Sequence, residues 1–154
     1  IYSGSKNLED LIESVGLDAG KLVLSPTRTY APVMKSIIEN LGNKSINGAV
    51  HCSGGAQTKI LHFIENLHII KDNLFEIPPL FQLIQKESNT NWKEMYKVFN
   101  MGHRLELYVS PLFADDIINI SKQFDLDAKI IGRVEKNSSN KLTLKTQNGT
   151  FEYI

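Results

Sequence analysis

The residues most suited to chemistry form a short turn, His51-Cys52-Ser53-Gly54-Gly55-Ala56. The pattern predicts the end of a strand, two glycines and the start of a helix. Glycines let the backbone approach a ligand closely, and the unpaired amides at a helix N-terminus suit a phosphate. A strand-to-helix junction also needs glycine for steric reasons alone, so both interpretations stay open. The turn is not a P-loop, because no Gly-Lys-Ser/Thr follows, and it lacks the dinucleotide fingerprint.

A second candidate is the segment Ser25-Pro26-Thr27-Arg28-Thr29-Tyr30. An arginine beside small hydroxyl residues, just before a helix, can grip a phosphate or carboxylate with two parallel hydrogen bonds. The alternative is a helix cap followed by a surface arginine.

A third candidate is the stretch from Met95 to His103. Asn100 and Gly102 are typical of a helix end, and we expect Asn100 to be a C-cap in the left-handed region. Asn100 can instead contact a ligand. His103 follows and, with His51, makes the one histidine pair suited to acid–base work; His62 and His68 lie in apolar surroundings, which favours structural roles.

Metal and cysteine chemistry receive little support from the spacing. The four histidines lack an His-x₃-His pair or flanking carboxylates, so we expect no metal site. Cys52 is the single cysteine, which excludes an internal disulfide and a cysteine-based zinc cluster. It is best interpreted as a lone buried thiol, and a chain without disulfides fits a reducing cytosol.

These residues must be positioned by helices and strands that alternate along the chain. An amphipathic stretch from Leu8 to Val15 ends at Gly16, and Ala128–Val134 reads as a strand. Helices are predicted to start at Tyr30, Thr58, Pro79, Trp92 and Pro111, and strands at Ile46, Leu67, Leu105, Lys141 and Thr150, the last two joined by Asn148-Gly149 as a hairpin.

This order predicts an α+β, or mixed α/β, fold with helices packed on a mixed sheet. We expect residues 1–21 to be a leader or linker remnant and residues 22–154 to form one domain that ends in the hairpin. The chain starts at Ile1, and we expect it to be a piece of a longer protein.

Composition excludes several classes of function. Lys plus Arg and Asp plus Glu number 17 each in 154 residues, so no polybasic surface for nucleic acid or membrane is expected. No apolar run approaches the 18 or more residues of a spanning helix, and the residues after Ile1 are not expected to act as a signal peptide. A cytoplasmic protein is the expectation.

Taken together and in order, the motifs resemble the C-terminal domain of the aminoimidazole ribonucleotide (AIR) synthetase family, the phosphoribosylformylglycinamidine cyclo-ligases. The resemblance covers about residues 22–136. It rests on Pro-Thr-Arg-x-Tyr at 26–30, His-x-Ser-Gly-Gly at 51–55, Pro-Pro-Leu-Phe at 78–81, Met-Tyr-x-x-Phe-Asn-Met-Gly at 95–102 and Ile-Gly-Arg-Val at 131–134.

The resemblance implies an ATP-dependent ring closure in purine biosynthesis, in which formylglycinamidine ribonucleotide becomes aminoimidazole ribonucleotide. It implies a layered fold with partial ferredoxin-like character. ATP and Mg²⁺ would be held chiefly by an N-terminal domain of the same protein, so the fragment alone would be inactive. The full-length enzyme is expected to be a homodimer.

The same resemblance assigns expected roles residue by residue. Thr27 and Arg28 should face the cleft, and the amides of residues 53–55 should bind a phosphate of the substrate or the one being transferred. His51 becomes the candidate catalytic residue, and Asn100 and Gly102 match the Phe-Asn-x-Gly block. The family usually continues with a Glu-Asn pair and then Pro-Arg, and these groups are absent here. Either another basic group, with Lys59 as the candidate, takes over the contact with the anion, or this branch of the family binds its substrate differently.

Two other functions remain open on the sequence alone. One is a related enzyme of the superfamily, such as a formylglycinamidine synthetase or a small-molecule kinase. The other is a non-catalytic module that binds a small phosphorylated ligand or mediates assembly.

Overall fold

A computed structural model describes residues 4–24 and 29–154 of the chain. No helix within these ranges is long and apolar enough to cross a membrane. The elements in chain order are β1 (Leu11–Ile12), β2 (Leu17–Asp18), α1 (Ala19–Val23), α2 (Ala31–Leu41), β3 (Ile46–His51), β4 (Leu67–Lys71), α3 (Pro79–Ser88), α4 (Trp92–Val98), β5 (Leu105–Val109), α5 (Pro111–Lys122), β6 (Gly132–Lys136), β7 (Lys141–Thr146) and β8 (Gly149–Tyr153), with 3-10 helices at Asn43–Ser45 and Ala56–His62.

The larger sheet is mixed, with strand order β6-β4-β7-β8. β4 lies parallel to β7 and antiparallel to β6, while β7 and β8 form an antiparallel hairpin. The hairpin turns at residues 147–148, and Gly149, the first residue of β8, has a φ of +128° that suits glycine. The predicted α+β class with a mixed sheet and a terminal hairpin is therefore confirmed.

The second sheet consists of β3 and β5, paired antiparallel. Two apolar clusters lie around it. One contains residues of β4, α4, β7 and the 3-10 helix at 56–62, with Met95 and Leu142 fully buried. The other brings together α2 and α5 through Val33, Ile37 and Ile117. β3 and β5 thus contribute side chains to both clusters, so the 51–56 turn that follows β3 is held by packed elements.

Three local predictions were wrong. The amphipathic stretch at 8–15 is not one regular element, because β1 and β2 form a small hairpin there. The helix predicted from Thr58 is a 3-10 helix that starts at Ala56. The strand predicted over 128–134 starts only at Gly132, because the regular ladder with β4 ends where the Ile131 carbonyl accepts from two consecutive amides, at residues 72 and 73, both at 3.1 Å. The domain boundary near Leu22 stays a prediction.

Candidate functional site

The 51–56 turn has the geometry of a backbone that faces a ligand. β3 ends at His51, and Gly55 has a φ of +86°, in the left-handed region. A Cβ built on Gly54 would meet no atom within 4 Å, so the space beside this residue is open. The Ser53 amide, which was expected to bind the phosphate, instead donates to the His51 carbonyl at 2.8 Å. Because the element that follows is a 3-10 helix of 7 residues, an anion here would be held by the amides of the two glycines and not by an α-helix dipole.

Lys59 brings a positive charge to the same turn. Its Nζ donates to the His51 carbonyl and to Ser53 Oγ, both at 3.0 Å. An ammonium has three N–H donors. Two of them bind acceptors within the described part of the chain, which leaves the third for a ligand. The structure therefore groups Lys59, Ser53 and the two glycines at one place.

His51 stands exposed beside this turn. Its ring approaches that of Tyr30 edge-on, with centroids 6.5 Å apart. His51 and Lys59 both line an open groove of about 800 Å³, together with the exposed Phe63. The imidazole is accessible to a ligand bound in that groove.

His103, the predicted partner of His51, is not available for acid–base work. It is 4% exposed, and its Nε2 accepts a hydrogen bond from the Phe75 amide at 3.1 Å. Burial, assisted by the charges of Lys71 and Lys129, lowers the pKa of His103 to about 3. The imidazole is therefore neutral and structural at physiological pH, and the predicted histidine pair is wrong.

The loop after α4 differs from the predicted cap. Asn100 is not in the left-handed region; Met101 (φ +53°) and Gly102 (φ +94°) are. The side chain of Asn100 instead stabilises the loop, because its Oδ1 accepts from the Gly102 amide at 2.9 Å. A Cβ on Gly102 would lie 3.0 Å from Pro78 Cγ. Gly102 thus permits the loop to pack against the start of α3, which connects two of the sequence motifs.

Sequence reasoning missed a buried polar network behind the turn. Lys71, at the end of β4, is 1% exposed, and its Nζ lies 2.6 Å from Glu106 Oε1. Gln57, 0% exposed, accepts from the same Nζ at 2.9 Å. The hydroxyl of Tyr108 donates to the other Glu106 oxygen at 3.0 Å. The signal was present in the sequence as a lysine that directly follows an apolar strand.

Cys52 lies against this network and is 3% exposed. Burial, with the negative charge of Glu106, raises the pKa of its thiol to about 12. The predicted lone buried thiol is confirmed, and it is not a nucleophile at neutral pH.

Other expected site residues and ligands have no geometry here. Thr27 and Arg28 lie outside the described residues. Within the described ranges no three His, Cys, Asp or Glu side chains come together in a way that could hold a metal ion.

Comparison with known proteins gives one family and a consistent set of relatives. Residues 7–145 match the family model of the AIR synthase related protein, C-terminal domain. The chain is 34% identical over 140 residues to the phosphoribosylformylglycinamidine cyclo-ligase of Methanococcus vannielii, with 91% of this chain and 39% of that protein aligned. The proteins of the same name from Syntrophus aciditrophicus (33% over 144 residues) and Caldicellulosiruptor bescii (32% over 145) align with 88% of this chain and 39% and 40% of their own lengths. The chain thus spans about two fifths of the length of these relatives.

Proposed function

We propose, from the premise that the chain belongs to the family of AIR synthase related C-terminal domains, that it is the C-terminal part of an ATP-dependent cyclo-ligase. In this proposal the full-length protein closes formylglycinamidine ribonucleotide to aminoimidazole ribonucleotide. The premise is supported by relatives named phosphoribosylformylglycinamidine cyclo-ligase that align with 88–91% of the chain.

The observation that carries the role of this chain is the open space beside Gly54, with the Lys59 ammonium bound to Ser53 at the same turn. Backbone amides and a lysine are the donors that a phosphate prefers. The ligand would be the 5′-phosphate of the substrate or the phosphoryl group in transfer. A few placed donors suffice, which agrees with a chain whose formal net charge is 0.

The other candidate residues take roles around that phosphate. His51 is exposed and lines a groove together with Lys59. It is the proposed proton-transfer group near the reacting centre. Thr27 and Arg28 would face the cleft from the segment before α2. Asn100 would contribute through its loop, and Gly102 through the close approach of that loop to Pro78.

ATP and Mg²⁺ are expected to be held chiefly by the rest of the longer protein, since this chain aligns with only 39% of the length of its cyclo-ligase relatives. The proposal therefore includes an N-terminal domain of the same polypeptide as the first partner, and a homodimer of the full-length enzyme. ATP supplies the phosphoryl group that activates the amide oxygen of the substrate. The 154-residue chain alone is expected to give no ring closure with MgATP and substrate, and measurable turnover by it would contradict this division of roles.

The test compares variants of the full-length protein that carries this chain. Lys59→Met removes the ammonium from the turn, whereas Lys145→Met removes an exposed lysine from β7 as the matched control. Loss of a charge-assisted hydrogen bond should raise KM for the phosphorylated substrate by about tenfold or more in Lys59→Met, with Lys145→Met unchanged. Equal KM values in the two variants would contradict a phosphate site at the turn.

A second variant tests His51. His51→Asn keeps a polar side chain but removes the titratable group, so kcat should fall by about 10²-fold or more while KM stays within a small factor. An unchanged kcat would remove His51 from the proposed chemistry and leave the phosphate site standing.

A further inference from the structure

Gln57 joins the two segments that carry the candidate ligand-binding residues. Its Nε2 donates to the Asn100 carbonyl at 2.9 Å, across a separation of 43 residues. Its Oε1 and its main-chain carbonyl both accept from Lys71 Nζ, at 2.9 and 3.2 Å. The side chain is fully buried, so both ends of the amide are held without competition from water.

Lys71 is itself fixed, because its three N–H donors meet three acceptors. Besides the two oxygens of Gln57, the third acceptor is Glu106 Oε1 at 2.6 Å. Both side chains of this ion pair are 3% exposed or less, and Tyr108 satisfies the remaining carboxylate oxygen. A buried pair that lost this geometry would leave an uncompensated charge, which makes the arrangement stiff.

The other end of the bridge is fixed as well. The Asn100 carbonyl also accepts from the His103 amide at 2.9 Å, and its side chain binds the Gly102 amide. Gln57 follows Gly55 by two residues, and Ala56 between them has a φ of +42°. Movement of Gln57 would therefore change the direction of the glycine amides directly.

We propose that Gln57 is a positioning residue that holds the 53–55 turn at a set distance from the 100–102 loop, and thereby fixes the turn that binds the phosphorylated ligand. Lys71 and Glu106 anchor it to β4 and β5. This inference rests on the proposed function for the identity of the ligand, but the mechanical role of Gln57 is independent of it.

The experiment uses the full-length protein and two readouts. Gln57→Met keeps the side-chain length and removes both amide bonds. Gln82→Met is the matched control, because Gln82 also donates a side-chain hydrogen bond to a backbone carbonyl, that of Ile77 at 2.7 Å, away from the turn. Amide hydrogen exchange of residues 53–59 and 100–103 is measured by mass spectrometry with and without inorganic phosphate, together with KM and kcat for ring closure.

Gln57→Met is expected to speed exchange in both segments by about tenfold, while α2 and α5 exchange as in the wild type. KM for the phosphorylated substrate should rise by about tenfold with kcat within a small factor, and protection of the turn by phosphate should weaken. Gln82→Met should change none of these. Unchanged exchange at 53–59, exchange that rises equally across the chain, or faster exchange with an unchanged KM each overturns the proposal.

If Gln57→Met fails to fold, the same exchange measurement is made on Gln57→Glu. It keeps an acceptor for Lys71 and loses the donor to Asn100, so only the 100–103 segment should exchange faster; equal exchange in both segments overturns the proposal. A wild-type protein without ring-closure activity would refute the proposed function. In that case exchange, and its protection by inorganic phosphate, still decides the role of Gln57.

Discussion

The stability of the protein should fall steeply between pH 7 and pH 5 because of one buried imidazole. His103 is 4% exposed, and its Nε2 accepts from the Phe75 amide, so only the neutral ring fits. Its pKa is lowered from 6.5 to about 3, first by burial and then by Lys71 and Lys129. The unfolded chain binds a proton in this window and the folded chain does not, so protons favour unfolding.

The magnitude follows from the two pKa values. The stabilisation is fully present above the unfolded pKa of 6.5 and is lost as the pH falls toward about 3. At about 1.4 kcal/mol per pKa unit, the loss is about 2 kcal/mol between pH 7 and pH 5.

Urea unfolding at pH 7, 6 and 5 measures this slope. The comparison is with His103→Gln, which keeps an oxygen acceptor for the Phe75 amide, and with His62→Gln at an exposed position. The wild type and His62→Gln should share the slope, whereas His103→Gln should lose about 2 kcal/mol of pH dependence. A His103→Gln variant that keeps the wild-type slope would refute the assignment of a neutral buried imidazole.

Three further outcomes are expected. Lys71→Met should lower the free energy of unfolding by about 3–5 kcal/mol, because Glu106 remains buried without its partner; the double variant Lys71→Met/Glu106→Gln should regain part of this loss in urea titrations. Gly132→Ala should cost at least about 2 kcal/mol, since a Cβ there would overlap the Ile70 carbonyl oxygen; thermal melting against wild type measures it, and a neutral variant would contradict the β4–β6 register. Cys52, with a pKa of about 12 and 3% exposure, should react with a disulfide reagent at pH 8 only as fast as the protein opens; labelling at the rate of a free thiol would contradict its burial.

What the sequence predicted well is local. The terminal hairpin, indicated by Asn148-Gly149, and Pro79 at the first position of α3 each depend on neighbours within a few residues. Such signals are read directly from turn and cap chemistry. The turn at 51–56 was found for the same reason.

What it could not predict depends on pairings far apart in the chain. The alternation in β5 suggests that the leucines face inward, yet Glu106 is the buried residue, because a lysine 35 positions earlier supplies its charge partner. Likewise, the sequence favoured His103 as part of an acid–base pair, but the structure shows it buried, with its Nε2 accepting a hydrogen bond from the Phe75 amide. Local periodicity carries no information on such partners.

The mixed order of the larger sheet has a consequence for synthesis of the chain. β4 is paired on one side with β6 and on the other with β7. His68, for example, lies opposite Glu135 and Lys141, which are synthesised much later. Loops of this length close slowly, and parallel pairing is among the slowest steps of folding. On the ribosome the apolar β4 therefore has no partner strand in this sheet until β6 has emerged, and its other edge stays unpaired until β7 follows. A nascent chain halted before β6 should bind chaperones that recognise exposed apolar strands, and one halted after β8 should release them.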